Sequence, residues 1–437
     1  MNQKGKTKII LILIGIFLIA LLPRLIIAFY SRQIPVNDAS GYDTYALNLL
    51  AGKGFVNPEG ELTSWREPLY PYFLSCIYYF FGHSYLAVRL IHAVLGAFTC
   101  IIIFLIAHRS LGLRIAIVSA LIGCFNPTFI KLTEHLLTEN LFTFLFALSA
   151  LFLLRQISQK RDHKNLICAG VLLGLTTLTR SVTLLFPLFV LLFLGKRIAL
   201  REDDFKKYSL SVLIFIFSFF LTIAPWTVRN WRVHHKFVPV VSRTGLGLYS
   251  SFVPRDGKTF GFNADDEITK KAESLSTEVE RSNFLAKQAL KHIKDNPSQL
   301  FKLEILKILF FWAPFDWSIL AGGVYNFAYG FILPFFILGI FASFKRFEEL
   351  ALIYLPIIYI QFFVLITFGI PRFRLPIEPF IIIIASIGID KFLRRFSKKI
   401  FPYLLMLSFF LVNLLIYFNS YQVKLFLKSI LEGLKIW

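Results

Sequence analysis

The sequence has few charged residues and few cysteines. Charged side chains make up 17% of the 437 residues, against about 25% in a typical soluble domain. The four cysteines stand in apolar stretches, with no CxxC pair and no histidine at metal-ligand spacing. These deficits argue against a soluble enzyme, a disordered tail and an extracellular disulfide scaffold, and the cysteines are interpreted as small buried hydrophobic residues.

Familiar catalytic motifs are also missing. The sequence has no Walker loop, no GxGxxG after a strand, no HExxH and no Gly-x-Ser-x-Gly. The eight histidines are scattered, and the adjacent pair His234 and His235 does not form a helical metal-ligand face. Function therefore has to be sought in polar side chains that stand where they are energetically costly.

Apolar residues are correspondingly abundant. They make up 56% of the chain, with 50 phenylalanines, and they form long uninterrupted runs. A helix that crosses a membrane needs about 20 such residues, whereas the strands of an outer-membrane barrel alternate apolar and polar residues. The runs predict an all-α polytopic membrane protein with about 11 spans, in a range of about 10 to 13.

The predicted spans follow the apolar runs along the chain. The segment 68–82 stays open between a further span and a helix lying in the membrane interface. The positions predicted to cross the membrane are 9–29, 85–107, 115–130, 139–155, 165–179, 182–195, 208–225, 324–343, 349–368, 377–390 and 401–420.

The net charge of +21 is explained by topology rather than by nucleic-acid binding. Lys and Arg occur in short clusters between apolar runs, and membrane proteins collect such residues in short cytoplasmic loops. We therefore expect membrane lipids as partners and no nucleic acid. With the amino terminus in the cytoplasm, the predicted cytoplasmic loops are 108–114, 156–164, 196–207, 344–348 and 391–400.

The first apolar run is predicted to remain as a span. The run Ile9–Phe29 is longer than the core of a signal peptide, which has about 7–15 residues, and no small-x-small cleavage site follows it. Because successive spans cross the membrane in alternating directions, two longer segments are predicted to lie outside, 30–67 and 226–320. No internal repeat or linker is evident, so residues 1–437 are predicted to form one membrane domain.

The second outside segment is predicted to carry amphipathic helices. The stretch NFLAKQALKHIKDNP has helical apolar spacing and is predicted to stop at Asn296–Pro297. The following QLFKLEILKILFFW is amphipathic and is predicted to lie at the membrane surface.

Two acids are candidates for catalysis. Asp38 lies in the first outside loop, in PVNDASGYDTYALNLL, and is either a base at the membrane face or a helix cap or solvated acid. Glu139 begins a span, where an acid is either functional or simply favourable at a helix amino terminus. Asp43 and His135 stand close to these acids in the sequence.

Isolated arginines recur at the predicted outside edge. Arg66 stands beside Glu67 where the chain re-enters the membrane. Cations from several separated spans suit a phosphate at membrane depth, while the alternative is anchoring to lipid headgroups. The other arginines of this kind are Arg180, Arg229, Arg372 and Arg374, the last followed closely by Glu378.

An ordered set of short motifs carries a resemblance to a known family. The set runs through Asp38 and Tyr42, Arg66-Glu67-Pro68, Thr138-Glu139, Leu178-Thr179-Arg180, Pro225-Trp226-x-x-Arg229 and Arg372-Phe373-Arg374-Leu375-Pro376-x-Glu378. In this order the chain resembles the polytopic glycosyltransferases of the GT-C fold. The likeness is greatest to the bacterial branch related to protein O-mannosyltransferases and to the aminoarabinose transferase of lipid A.

The resemblance implies a fold, a substrate class and residue roles. A GT-C enzyme of the bacterial cytoplasmic membrane would use sugars on polyprenyl phosphates at the outer face, with lipid A, lipopolysaccharide, cell-wall glycan or protein hydroxyls as acceptors. The resemblance maps the catalytic acid to Asp38, a second acid to Glu139 and a donor-phosphate ligand to Arg66. Arg180, Arg229, Arg372 and Arg374 are expected to assist Arg66, with supporting roles for Tyr42, Asp43, Glu67, His135 and Glu378.

Other functions stay open. A flippase or transporter of lipid-linked sugars would also need an arginine-lined site, but near the middle of the bilayer. A polymerase or ligase of surface polysaccharide would use lipid diphosphate donors. No cofactor is required by the sequence, and a divalent metal ion shared by Asp38 and Glu139 also stays open.

Overall fold

The computed structural model describes residues 3–158, 163–199, 205–253, 266–315, 325–396 and 400–433. These residues form α-helices joined by short 3₁₀ turns and loops, and their β pairing is limited to two isolated bridges. The all-α architecture predicted from the sequence is confirmed.

The helices of the first half include the segment 30–67 and the elements that surround it. They are α1 (Gln3–Tyr30), α2 (Asp38–Leu50), α3 (Leu69–Phe81), α4 (Tyr85–Leu111), α5 (Leu113–Phe125), α6 (Pro127–Lys131), α7 (Glu139–Ser158), α8 (His163–Thr179), α9 (Phe186–Ala199) and α10 (Phe205–His234). Short 3₁₀ turns follow α6 and α8, at Leu132–Glu134 and Ser181–Thr183.

The second half begins with the helices that follow α10 in the described part of the segment 226–320. The helices are α11 (Thr244–Phe252), α12 (Glu267–Glu273), α13 (Glu278–Asp295), α14 (Pro297–Trp312), α15 (Phe327–Ser343), α16 (Phe347–Ile366), α17 (Glu378–Arg395), α18 (Phe401–Phe418) and α19 (Ser420–Gly433). The 3₁₀ turns Phe344–Arg346 and Pro371–Ile377 flank α16. The predicted stop at Asn296–Pro297 is confirmed, because α13 ends and α14 begins there.

Several helices are long and apolar enough to cross a membrane. Within the described ranges five segments meet this condition, and the pair α5 and α6, bent by 48°, would add a sixth. The predicted number of about 11 spans stays a prediction. The five segments are Gln3–Tyr30, Tyr85–Leu111, Ser209–His234, Phe327–Ile366 and Phe401–Phe418.

The longest of these segments is a helical hairpin. The hydroxyl oxygens of Ser343 and Tyr354 lie 2.6 Å apart. In one continuous helix these residues would be separated by about 16 Å along the axis. The chain therefore reverses at the 3₁₀ turn Phe344–Arg346, and α15 and α16 correspond to the two predicted spans 324–343 and 349–368.

The segment that contains α3 begins and ends at the same end of the helix bundle. Arg89, near the start of α4, donates to the carbonyl oxygens of Ser31, Gln33 and Glu134, so α4 begins where α1 ends. The 13 residues of α3 span about 20 Å, less than the hydrocarbon core of about 30 Å. Of the two alternatives for the segment 68–82, this short length favours a helix lying in the membrane interface over a further span.

Helix α10 runs further than predicted. The predicted span ends at residue 225, whereas the helix continues through Pro225 to His234. Side chains of the added turns hold the returning chain alongside the helix. Trp226 Nε1 donates to the carbonyl oxygen of Val240 at 2.8 Å, and Asn230 Nδ2 donates to the same oxygen at 3.1 Å.

Glycines allow the closest helix contacts. Gly170 and Gly174, at GxxxG spacing on α8, face α10. A Cβ atom on Gly170 would lie 2.5 Å from the carbonyl oxygen of Phe215, and one on Gly174 would lie 2.6 Å from Thr222 Cβ. Small residues at this spacing let two helix backbones approach closely in a membrane. Gly339 and Gly388 play the same part between α15 and α17.

The substitution Gly170→Ala should destabilise the bundle, because the obstacle to the new methyl group is backbone rather than a flexible side chain. We expect a loss of about 1–3 kcal/mol, measured by unfolding of the purified protein in detergent. Gly15→Ala is the matched control, since nothing lies within 4 Å of a Cβ there. Equal stability of the two variants would contradict the close contact of α8 and α10.

Candidate active site

The candidate site lies where several helices end. Asp38 is the first residue of α2, and Glu139 is the first residue of α7. Arg180 directly follows α8, and Arg372 lies in the 3₁₀ turn Pro371–Ile377 between α16 and α17. Because each of these residues stands at a helix end or in a connection, residues far apart in the sequence can meet at one end of the bundle.

Five charged side chains form a continuous line, which we call the charge chain: Arg66, Asp38, Arg372, Glu139 and Arg180. Arg66 Nη2 lies 2.8 Å from Asp38 Oδ1, and Arg372 Nη1 lies 2.8 Å from Asp38 Oδ2. Arg372 Nε also donates to Glu139 Oε1, which accepts a second hydrogen bond of 2.8 Å from Arg180 Nη1. The structure thus brings together both candidate acids and three of the five candidate phosphate ligands.

The charge chain is buried at Glu139 and most open at Asp38 and Arg372. The Glu139 side chain is fully buried, whereas those of Asp38 and Arg372 are 37% and 35% exposed. Three guanidinium groups and two carboxylates leave one positive charge in excess. An anion that reaches the open part of the chain therefore meets donors already held in place.

Asp38 is ionised at neutral pH. Burial alone would raise the pKa of its carboxyl group, but the charges and hydrogen bonds of Arg66 and Arg372 outweigh burial and hold that pKa well below its usual range. A carboxylate that is bound on both oxygens by guanidinium groups is a weak base.

Aromatic rings lie against the guanidinium groups. The Arg66 guanidinium lies 5.1 Å from the ring centre of Tyr42, and the rings of Tyr42 and Tyr70 pack in an edge-to-face arrangement. Arg180 lies 5.2 Å from the ring centre of Phe373. Burial raises the pKa of Tyr42, so its hydroxyl group stays neutral. These rings support the cations without neutralising them.

Glu67 holds the segment that carries Arg66. Its buried carboxylate accepts hydrogen bonds from the backbone N–H of Ser181 at 3.1 Å and from the Ser181 hydroxyl group at 2.9 Å, and it pairs with Arg243 at 3.2 Å. Burial acts to raise the pKa of Glu67, but Arg243 and Ser181 lower it overall. Glu67 directly follows Arg66, and Ser181 directly follows Arg180. The Glu67 carboxylate therefore holds together the two segments that carry these arginines.

Asp43 and His135 lie outside the charge chain. Asp43 accepts hydrogen bonds from Tyr78 at 2.5 Å and Tyr85 at 3.1 Å, and it pairs with His83 at 2.9 Å. Asp43 thereby fixes α2 against α3 and α4. His135 lies 3.4 Å from Glu134, and burial lowers the pKa of its imidazole group.

Arg229 supports the segment 30–67 and makes no hydrogen bond or ion pair to the charge chain within the part of the chain that the structure describes. It donates to the carbonyl oxygens of Thr63 at 2.6 Å and Phe55 at 3.1 Å and to the hydroxyl group of Ser64 at 3.0 Å. Its guanidinium lies 4.7 Å from the ring centre of Trp226. The structure therefore gives Arg229 a positioning role rather than a place beside Asp38.

Arg374 points away from Arg372, two residues before it. Arg374 is buried, donates to the carbonyl oxygens of Phe311 and Ala313, and lies 3.3 Å from the ring centre of Tyr329. Its Nε lies 3.7 Å from the buried carboxylate of Glu378. Arg374 thus fastens the 3₁₀ turn to the end of α14 and leaves Arg372 to face the acids.

The sequence analysis did not single out the residue that joins the segments 30–67 and 226–320. Glu278, at the start of α13, accepts hydrogen bonds from the Thr63 hydroxyl group, from the backbone N–H of Ser64 at 3.1 Å and from the Ser242 hydroxyl group at 2.8 Å. No local signal marks it, because Glu278 is one of several acids in a polar stretch and its partners in the first loop lie 214 and 215 positions away.

A divalent metal ion does not fit the charge chain as it stands. Both Asp38 and Glu139 direct an oxygen at Arg372, whose guanidinium fills the space between them. A metal ion shared by these acids would have to displace Arg372. Among the residues that the structure describes, no group of three or more His, Cys, Asp or Glu side chains is placed to hold a metal.

The fold is shared with an archaeal membrane enzyme. The oligosaccharyltransferase of Archaeoglobus fulgidus in complex with zinc and sulfate matches with a TM-score of 0.59 and 14% identity, over 92% of this chain and 52% of that one. Its complex with an inhibitory peptide and a dolichol-phosphate matches with a TM-score of 0.55 and 13% identity, over 93% and 54% of the chains. The chain has the GT-C fold predicted from the sequence.

The sequence comparison agrees with this fold. Residues 66–226, a little over a third of the chain, match the family model described as dolichyl-phosphate-mannose-protein mannosyltransferase. This range includes Arg66, Glu139 and Arg180 of the charge chain. A protein of Aquifex aeolicus described as uncharacterized is 28% identical over 228 residues, which cover 50% of this chain and 44% of that protein. The chain spans about half the length of the relatives it matches.

Replacing Glu278 should loosen the loop between α2 and α3. In Glu278→Gln an amide group with one acceptor oxygen replaces a carboxylate that accepts three hydrogen bonds, so we expect a loss of about 1–3 kcal/mol in unfolding free energy. Faster limited proteolysis between α2 and α3 would be the local readout. Glu273→Gln, at an exposed position on the preceding helix α12, is the matched control and should behave as the unaltered protein.

The contribution of Asp38 to stability should depend on pH only in acid. Its folded pKa lies below its ordinary value of 3.8, so the stabilisation is present above about pH 4 and is lost as the pH falls further. The melting temperature of Asp38→Asn should lie below that of the unaltered protein by a constant amount from neutral pH to about pH 5. The two should converge in stronger acid, and convergence already near neutral pH would contradict the arginine pairing.

Proposed function

We propose that the protein is a glycosyltransferase that moves a sugar from a polyprenyl-phosphate donor to a hydroxyl group of an acceptor. The observation that carries this proposal is the charge chain, in which two acids and three arginines from five separate segments meet at a half-exposed position. The GT-C fold and the family-model match over residues 66–226 support it. One solved relative with this fold was captured with a dolichol-phosphate.

The proposed reaction is a single displacement. The acceptor hydroxyl oxygen attacks the anomeric carbon of the donor sugar and forms the new glycosidic bond. The bond between that carbon and the phosphate oxygen breaks, and polyprenyl phosphate leaves with the bonding electrons. Asp38 accepts the proton of the acceptor hydroxyl group as general base. Because the acceptor attacks in one step on the face opposite the leaving phosphate, the configuration at the anomeric carbon is inverted.

The arginines match the charge that develops on the leaving group. A phosphodiester donor carries one negative charge, and the departing phosphate monoester gains a second. Arg66 and Arg372 are the partly exposed cations beside Asp38, and Arg180 lies one acid further along the charge chain. Donors that are fixed before the reaction stabilise such charge best, because they need no reorganisation.

Donor binding would also activate the base. At rest Arg66 and Arg372 occupy both oxygens of Asp38 and hold its pKa low. A phosphate that competes for these two guanidinium groups frees the carboxylate and raises its pKa towards the ordinary value. Asp38 would therefore become an effective base only when a donor is in place, which limits unproductive proton transfer.

The position of the charge chain favours a transferase over a transporter. All five residues lie at helix ends or in connections, whereas a transporter places its substrate near the middle of the bilayer. We place this end of the bundle on the outer face of the bacterial cytoplasmic membrane, with the amino terminus in the cytoplasm. Lipid A, lipopolysaccharide, cell-wall glycan and protein hydroxyls are the proposed acceptors, and hexoses and pentoses the proposed sugars.

The decisive test is transfer by purified protein in lipid nanodiscs. Polyprenyl-phosphate hexoses and pentoses would be compared with the matching diphosphates against the four classes of acceptor. We expect transfer from a monophosphate donor, and Asp38→Asn should reduce the rate by about 100- to 10,000-fold. The exposed acid Glu61, in the same loop, provides the matched control Glu61→Gln, which should keep full activity.

Two outcomes would contradict this function. Full activity of a folded Asp38→Asn protein would remove Asp38 from the chemistry. Transfer from diphosphate donors alone would favour a polymerase or ligase. Arg66→Gln tests the phosphate contact separately, with the exposed Arg32→Gln as its control.

A further inference from the structure

We propose that Arg372 is a built-in cation shared by Asp38 and Glu139, so that the site works without a divalent metal ion. Removing the charge of Arg372 would then turn the two acids into a divalent-cation site. The statement about catalysis rests on the proposed function, whereas the statement about cation occupancy does not.

The first argument is the geometry of the guanidinium group. Arg372 presents Nη1 to Asp38 at 2.8 Å and Nε to Glu139, so one planar cation bridges two carboxylates. A bridging metal ion would need the same oxygens at about 2.0–2.6 Å. The oxygens that a metal would take already accept N–H groups, and Glu139 Oε1 accepts one from Arg180 as well.

The second argument is that Arg372 is held in this position. It lies in the 3₁₀ turn Pro371–Ile377, which begins with one proline and contains a second. Arg374 anchors the same turn to the backbone at the end of α14. Displacing Arg372 by a metal ion would therefore break two ion pairs in a segment whose backbone cannot easily follow.

The third argument is the electrostatics of the group. Burial acts to lower the pKa of Arg372, but the carboxylates of Glu139 and Asp38 outweigh burial and raise it, so the guanidinium keeps its charge. A divalent ion beside it would face Arg66 and Arg180 in addition. Three cations around two acids leave no negative charge to attract a fourth.

Removing Arg372 takes away the excess positive charge and leaves two acids paired with two arginines. Asp38 keeps Arg66 and Glu139 keeps Arg180, but each acid gains a free lone pair directed at the emptied position. Two carboxylates with water in the remaining positions are a ligand set that Mg²⁺ and Mn²⁺ accept. Lysine at this position would keep a cation between the acids.

The test is Mn²⁺ binding to the full-length purified protein without donor, followed by electron paramagnetic resonance. We expect no bound Mn²⁺ in the unaltered protein or in Arg372→Lys, and one bound ion in Arg372→Ala. The ion should be lost again in the double variant Arg372→Ala, Asp38→Asn. A folded Arg372→Ala protein that binds no Mn²⁺ would overturn the proposal.

The unaltered protein provides an independent test if Arg372→Ala does not fold. One Mn²⁺ bound by the unaltered protein and abolished in Asp38→Asn would overturn the proposal. In the transfer assay the unaltered enzyme should change its rate by less than about twofold in the presence of a chelator, and loss of activity restored by Mn²⁺ would also overturn it. Absence of transfer from every donor would count against the proposed function alone, since Mn²⁺ binding is measured without turnover.

Discussion

The ion pairs of Arg372 with Asp38 and Glu139 are the interaction on which the candidate site depends. Asp38 belongs to the start of α2, Glu139 to the start of α7 and Arg372 to the connection of α16 and α17, so a single guanidinium joins three separate parts of the bundle. Burying the Glu139 carboxylate without a partner would be very costly. The pairs with Arg372 and Arg180 offset that cost and, by the same contacts, collect cations around the acids.

Further contacts around the charge chain keep its residues in place. Glu67, Arg229, Glu278 and Arg374 each bind backbone groups or fixed side chains of the segments that carry the charge chain. None of the four contacts Asp38 or Glu139 through a hydrogen bond or ion pair that the described residues show. These hydrogen bonds fix irregular loops, as the proposed phosphate contacts would require, because donors that must reorganise lose much of their effect.

Much of the fold and part of the site were accessible from the sequence. Apolar runs predicted the helices, and Asn296–Pro297 marked a helix boundary, because hydrophobic length and proline act locally. Charged residues at the ends of apolar runs stand out for the same reason, since each is costly near a membrane unless it has a partner. That cost singled out Asp38, Glu139 and the arginines, but it did not reveal which of them would face one another.

The tertiary structure decided the partners. Arg229 and Arg374 occupy the same kind of sequence position as Arg180 and Arg372, yet they bind loop backbone instead of the acids, because the direction of a side chain depends on the path of its segment. Arg372 meets Asp38 across 334 positions, and Glu278 meets Ser64 across 214. The sequence by itself determined the helices and the charges at their ends. Only the packing of the helices, through glycine contacts and the return of α3, determined which charges come together, because pairing over such separations has no local signature.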